Sequence, residues 1–270
     1  MPNGLFQTRC ASDMPINYTH SANLHTLAGP QSAWPYLFRG QNPSSLLDVG
    51  CGTGTWLKAA QDFGVRDVLG VEGAQVSPDS LHVSTELIRH QDLTLPWDLS
   101  RRFDVVICLE VAEHLDASFS SVLIDSLVRH GDRVVFSAAC PGQPGQHHVN
   151  CQWPAYWQRL FNGRGYVCED NLRWEIWNEP EVEPWYRQNL FLAVRDIKKA
   201  GTEPRICGVM HPEIFLPLQE MRYREGLEQG KLDGIKLVKN GFLSFFEYVT
   251  LPLAASFSKL RRRFLAPTNH

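Results

Sequence analysis

Short apolar runs alternate with stretches of helical periodicity along the first two thirds of the chain. Leu46, Leu47 and Val49 predict a buried strand, interrupted by Asp48 near its end. Trp56, Ala59, Ala60 and Phe63 then recur at helical spacing, and Gly64 stands where a helix closes on a left-handed residue. "DVLGVEGA" predicts a second short strand ending in Glu72, and a third falls at about residues 87–89, ahead of Asp92. "RFDVVICLEV" reads as a strand buried on both faces, followed by a helical pattern over about 118–130 that Gly131 closes. "DRVVFSAA" predicts a fifth strand, and "WPAYWQRLFNGRG" a helix with Pro154 in its first turn. "YVCEDNLRW" and "QNLFLAVRD" supply a closing antiparallel pair. Strands alternating with helices predict an α/β fold with a doubly wound, mostly parallel sheet. The domain runs from about residue 33 to 196, after an N-terminal extension over 1–32. Residues 201–205 read as a linker, and 206–270 as a helical C-terminal tail.

The stretch "DVGCGTG" joins the first strand to the first helix. Three glycines in five residues let a ligand touch main chain, and the free N–H groups at a helix start attract polar ligand atoms. A dinucleotide fingerprint, G-x-G-x-x-G, would need its third glycine at 55 or 57, where Thr55 and Leu57 stand. That spacing disfavours a nicotinamide oxidoreductase. Asp48, two positions before Gly50, suits a ligand with a positive amino group and would repel a pyrophosphate. Glu72, at the C-terminal end of the second strand, can accept both hydroxyls of a ribose.

"LLDVGCGTG" resembles motif I of the class I S-adenosylmethionine-dependent methyltransferases. The resemblance implies a Rossmann-like fold, with a seven-stranded sheet covered by helices on both faces. It also implies S-adenosylmethionine as cofactor, held by Asp48, Gly50, Cys51, Gly52 and Gly54 at the glycine turn and by Glu72 at the ribose. Asp92 would accept from the adenine amino group, with the Leu93 N–H beside the ring. "CLEVAEHL" is similar to the fourth motif of many small-molecule members, which implies Glu110 at the methionine end and His114 as a loop-orienting residue rather than a base. The span 46–194 resembles a bacterial branch of these enzymes with a loop "PGQ…HHVN", then "YW", then "WYRQN". Here Cys151 follows Asn150, where that branch has glutamate.

His147 and His148 sit in a loop after a strand C-terminus, the substrate face of such a sheet. A histidine largely neutral at pH 7 suits a general base, and a hydroxyl acceptor is where such a base matters most. The expected reaction is therefore O-methylation of a saccharide or related small polar acceptor, with His148 or His147 as base. Two adjacent histidines that merely brace a proline–glycine loop remain an equal reading. A protein that binds the cofactor without catalysis, as a partner or regulatory subunit, is the alternative function.

Composition narrows the rest. At 270 residues the chain suits one large α/β domain with an appendage. A net charge of −3 gives no reason to expect nucleic acid as partner. Seven cysteines without a C-x-x-C pair argue against a disulfide framework and a zinc site, and the spacing of acids and histidines suggests no metal. Trp153, Tyr156, Trp157, Trp174, Trp177, Trp185 and Tyr186 cluster late in the domain, as core or as stacking faces for a sugar. The start lacks the layout of a secretory signal, so the cytoplasm is the expected compartment. In the tail, Phe242, Phe245, Phe246, Val249 and Leu253 precede a basic run at 259–263. This pattern suits peripheral membrane contact, self-association or docking on the domain itself.

Overall fold

The computed structural model describes residues 18–20, 26–233, 235–236 and 239. Among them, seven strands form one sheet: β1 (Ser45–Val49), β2 (Asp67–Glu72), β3 (Ile88–His90), β4 (Val105–Leu109), β5 (Arg133–Ser137), β6 (Tyr166–Glu169) and β7 (Phe191–Arg195). Their order is β3-β2-β1-β4-β5-β7-β6, and every pairing is parallel except those of β7 with β5 and with β6. The expected antiparallel closing pair is therefore present. The order reverses between β1 and β4, which opens a crevice beyond the C-terminal ends of those strands.

Alternation along the strands divides the core into two layers. Leu47 and Val49 of β1, and Val106 and Cys108 of β4, face a layer built by α3 (Ser120–His130) and α4 (Pro154–Asn162). Leu46, Val105 and Ile107 face the other, built by α1 (Ala28–Phe38) and α2 (Thr55–Asp62) with α5 (Asn171–Glu175). All five residues of β4 are buried, as expected of a central parallel strand covered on both faces. Pro154 opens α4, where its missing N–H has no helical partner to lose. Gly64, at φ +93°, follows the end of α2 as the sequence predicts.

Three expectations need correction. The strand expected through "YVCEDNLRW" stops at Glu169; Asn171–Glu175 is a helical turn that buries Leu172 and Arg173. Gly131 closes α3 as expected, in extended backbone. It is glycine for space, because an added Cβ would stand 2.7 Å from Val106 Cγ2. The segment 201–205 is not a free linker. Glu203 Oε1 accepts from Asn162 Nδ2 at 2.5 Å, from the Cys168 N–H at 3.0 Å and from Gln158 Nε2 at 3.2 Å, and Ile206 lies in the core. Finally, α1 begins at Ala28, before the expected domain start.

The compact unit accordingly extends to Ile214. A second unit, Phe215–His270, is helical through residue 233 in its described part. The tail residues Phe242 to Leu253 and the basic run 259–263 lie outside the described residues. No helix among the described residues is long and apolar enough to cross a membrane.

Candidate functional site

A cavity of about 280 Å³ opens at the strand reversal, lined by the ends of β1, β2 and β4 and the loops that follow. Its floor is the glycine turn. Gly50 sits at φ +74°, and a Cβ there would stand 2.3 Å from Val111 Cγ2, so conformation and space both demand glycine. Gly52 donates its N–H to Glu72 Oε2 at 2.7 Å, and Ala74 donates to Oε1 at 2.7 Å. The Glu72 carboxyl is held below its ordinary range: burial pushes it up, but His20 and the Ala74 and Gly52 N–H groups outweigh that. Gly50, Cys51, Gly52, Glu72 and Leu93 all line the cavity.

Three of the expected cofactor residues lie behind this wall. Gly54, at φ +80°, caps the start of α2. Asp92 spends Oδ1 on the N–H and hydroxyl of Thr94, at 2.9 and 2.6 Å. Asp48 is buried under the floor, and its Oδ2 has no hydrogen-bond partner among the described residues. Burial, and then the charge of Glu72, push the Asp48 carboxyl well above the ordinary range. A buried carboxylate oxygen without a donor is costly, so this atom fits a ligand cation or donor at the floor.

Glu110 follows β4 at φ +54°, a left-handed conformation uncommon outside glycine. Its carboxylate accepts from Gln143 Nε2 at 2.7 Å and Asn189 Nδ2 at 3.2 Å. Asn189 also donates to Gln143 Oε1 at 2.8 Å, as Gln188 does at 3.2 Å. Gln143 comes from the loop after β5, whereas Gln188 and Asn189 end α6 (Pro184–Asn189). The sequence pieces "PGQ" and "RQN" thus meet on one carboxylate, although neither was expected to carry a site role.

The turn after Glu110 and the histidine loop are tied by main chain. Val149 and Asn150 both donate their N–H groups to the Glu113 carbonyl, at 2.9 and 3.0 Å. This docking brings His148 beside Glu113 and His114; the rings of His114 and His148 lie 5.2 Å apart. Glu113, His114 and His148 all line the cavity. His147 does not: it is exposed, at φ +53°, and offers only its carbonyl, 3.4 Å from His114 Nδ1. Of the two expected base candidates, only His148 reaches the cavity. His148 Nδ1 faces the Gln143 carbonyl at 3.2 Å, and its ring rides over Gly145, where an added Cβ would stand 2.0 Å from Nε2.

The groups here are shifted strongly. Burial, and then the Glu110 charge, push the fully buried Glu113 carboxyl well up. Burial and the neighbouring His148 press His114 down to about 4, and burial lowers His148. Both shifts favour the neutral imidazole.

The sequence left other wall residues unassigned. Tyr18 and His20 of the N-terminal extension line the cavity; the Tyr18 ring packs 4.7 Å from that of His114, and His20 Nε2 lies 3.8 Å from Glu72 Oε1. Of the clustered aromatics, Trp185 and Tyr186 face the cavity. Trp157 belongs to the core, while Trp174 stacks on Trp177.

The methyltransferase domain family matches residues 21–174, more than half of the chain. The chain belongs to this family. No curated protein matches it. Among solved structures, DesVI of Streptomyces venezuelae is 18% identical, covers 63% of this chain and 92% of its own, and superposes with a TM-score of 0.48. The sugar N-methyltransferase KedS8 from Streptoalloteichus is also 18% identical, over 63% of this chain and 88% of that one, with a TM-score of 0.48. The magnesium protoporphyrin IX methyltransferase of Synechocystis, with S-adenosylhomocysteine bound, is 19% identical over 63% and 82%, with a TM-score of 0.44.

The cavity suits S-adenosylmethionine as the methyl donor of a methyltransferase. The glycine floor, the ordered Glu72 carboxylate and the orphaned Asp48 oxygen provide a main-chain surface, a hydroxyl acceptor and a counter-charge for an amino group.

Proposed function

We propose that this methyltransferase modifies a hydroxyl of a saccharide or related small polar acceptor. S-adenosylmethionine, when bound, supplies an activated methyl group on a sulfonium. Gly50, Cys51, Gly52 and Gly54 shape its seat, with Gly54 acting from beneath through the start of α2. Asp48 faces the amino group from beneath the floor, Glu72 meets the ribose hydroxyls, and Leu93 borders the adenine with Asp92 behind it. Glu110, fixed by Gln143 and Asn189, stands at the methionine end.

His148 activates the acceptor. The observation that carries this reading is its place in the cavity wall with Nδ1 turned to the Gln143 carbonyl. A neutral ring that donates from Nδ1 keeps its lone pair on Nε2, available to the acceptor hydroxyl. Trp185 and Tyr186 add flat faces suited to a sugar ring. The absence of Lys and Arg from the cavity wall, among the described residues, favours an uncharged acceptor over an anionic one.

The test is single-turnover methyl transfer with the full chain. His148→Ala should slow the chemical step by about 10²–10⁴ with cofactor affinity nearly unchanged. His147→Ala should leave the step at the wild-type rate, because that side chain is outside the cavity. Unchanged chemistry in His148→Ala would remove His148 from the reading.

A further inference from the structure

We propose that Glu113, His114 and His148 form a binding site for a divalent first-row transition-metal ion at the acceptor end of the cavity. One ligand atom from each residue lies within 4.8 Å of the other two. Three ligand atoms held at about 2.0–2.2 Å from one ion stand roughly 3–3.8 Å from one another. The cluster closes on an ion by side-chain movement of up to about an ångström, without a change of backbone.

Glu113 supplies the second observation. It is fully buried, lines the cavity, and neither carboxylate oxygen has a hydrogen-bond partner among the described residues. A buried carboxyl with no donor costs free energy, and removing it from water is justified by a cation that coordinates it. No Lys or Arg among the described residues lines the cavity to serve as that cation. Glu110 has Gln143 and Asn189 as donors and lies against Glu113, so a cation at Glu113 also offsets the charge of two adjoining buried carboxyls.

The imidazoles carry the support that metal-bound histidines need. His114 Nδ1 faces the His147 carbonyl and His148 Nδ1 the Gln143 carbonyl, at 3.4 and 3.2 Å. A carbonyl at one ring nitrogen fixes the tautomer and leaves the lone pair on the other. Two imidazoles and one carboxylate suit manganese, iron, cobalt or zinc rather than magnesium or calcium, and leave coordination positions open. Those positions face the cavity that holds the acceptor.

This inference rests on the hydroxyl reading for its role and deepens it. An acceptor hydroxyl bound at an open position loses its proton to water more easily, as metal-bound water does. With the ion bound, the His148 lone pair serves the hydroxyl through the ion, and the base role stated above belongs to the metal-free protein.

The experiment uses the full chain, stripped with chelator and titrated with Mn²⁺ and Co²⁺ by calorimetry. One site per chain is expected, and Glu113→Gln and His148→Ala should each weaken it by at least about 100-fold while S-adenosylhomocysteine still binds. Pulsed electron paramagnetic resonance of the Mn²⁺-loaded wild type should show coupling to imidazole nitrogen, a readout that needs no variant. Absence of a stoichiometric site, absence of nitrogen coupling, or equal affinity in both variants overturns the proposal. Full-rate methylation of a hydroxyl by the stripped enzyme also overturns it, and leaves the hydroxyl reading intact. If the ion binds as stated but the methyl group appears on nitrogen, the site stands and the hydroxyl reading falls.

Discussion

Gly52 donates its backbone N–H to the Glu72 carboxylate at 2.7 Å, so the turn after β1 and the acid that ends β2 form one rigid corner. Losing that carboxylate therefore affects both the turn and the ligand. Glu72→Ala should weaken S-adenosylmethionine by about 1.5–3 kcal/mol, the range for hydrogen bonds to a charged group. Calorimetry of the variant checks this, and a 2′,3′-dideoxy analogue should lose less affinity in the variant than S-adenosylmethionine does. The same lowered carboxyl stabilises the fold above its ordinary value of 4.5, and that contribution is lost as pH falls through the lower folded value.

Asp48 works in the opposite sense. Its folded carboxyl is raised by burial, so the ligand-free fold gains stability as pH falls toward 3.8 and loses it as pH rises through the folded value. Asp48→Asn should stabilise the ligand-free protein at pH 7.5 by about 1–3 kcal/mol. That corresponds to a melting temperature higher by about 2–4 °C per kcal/mol. The same variant should bind S-adenosylmethionine more weakly, because the amino group loses its anionic partner. Calorimetric melting with and without cofactor reads both effects, and a loss of stability without cofactor would contradict the assignment.

Gly145 makes room for His148. A methyl group there would stand 2.0 Å from His148 Nε2, so Gly145→Ala should displace the ring. Turnover is expected to fall at least tenfold, with cofactor affinity and melting temperature close to wild type. Rapid-quench measurement of the methyl-transfer step separates this outcome from a folding defect.

Glu203 anchors the segment once read as a linker. Through Oε1 it serves Asn162, Gln158 and the Cys168 N–H, joining that segment to α4 and β6. Glu203→Ala should cost about 1–3 kcal/mol in urea unfolding, with no change in cofactor affinity. Ending the chain after Asp196 should cost more, because it uncovers the core around Ile206.

The parts of the fold that were legible in the sequence are those written locally. Leu46 to Gly54 encode strand, turn and helix within one short stretch, and the buried run of β4 needs no distant partner to be recognised. The end of β6 was missed because the helical turn at Asn171–Glu175 is set by burial of Leu172 and Arg173 against other elements. Glu203 looks like a linker residue, and Ile206 like the start of a tail, until their partners on α4 are known. The site divides the same way. Gly50, Gly52 and Glu72 announce themselves by spacing, but Glu110 and Asn189 are 79 positions apart and meet only in the folded chain. Glu113, His114 and His148 showed no metal spacing because two N–H groups docking on one carbonyl bring them together. Tyr18 and His20 carry no motif at all; only the fold places them at the cavity.

The central claim is the atom that receives the methyl group. The direct measurement is nuclear magnetic resonance of the product formed from S-adenosylmethionine carrying a ¹³C-methyl group, with a panel of saccharide and polyol acceptors. The account predicts one labelled methyl carbon bonded to oxygen, formed stoichiometrically with S-adenosylhomocysteine and lost in His148→Ala. A label bonded to nitrogen or sulfur would contradict it.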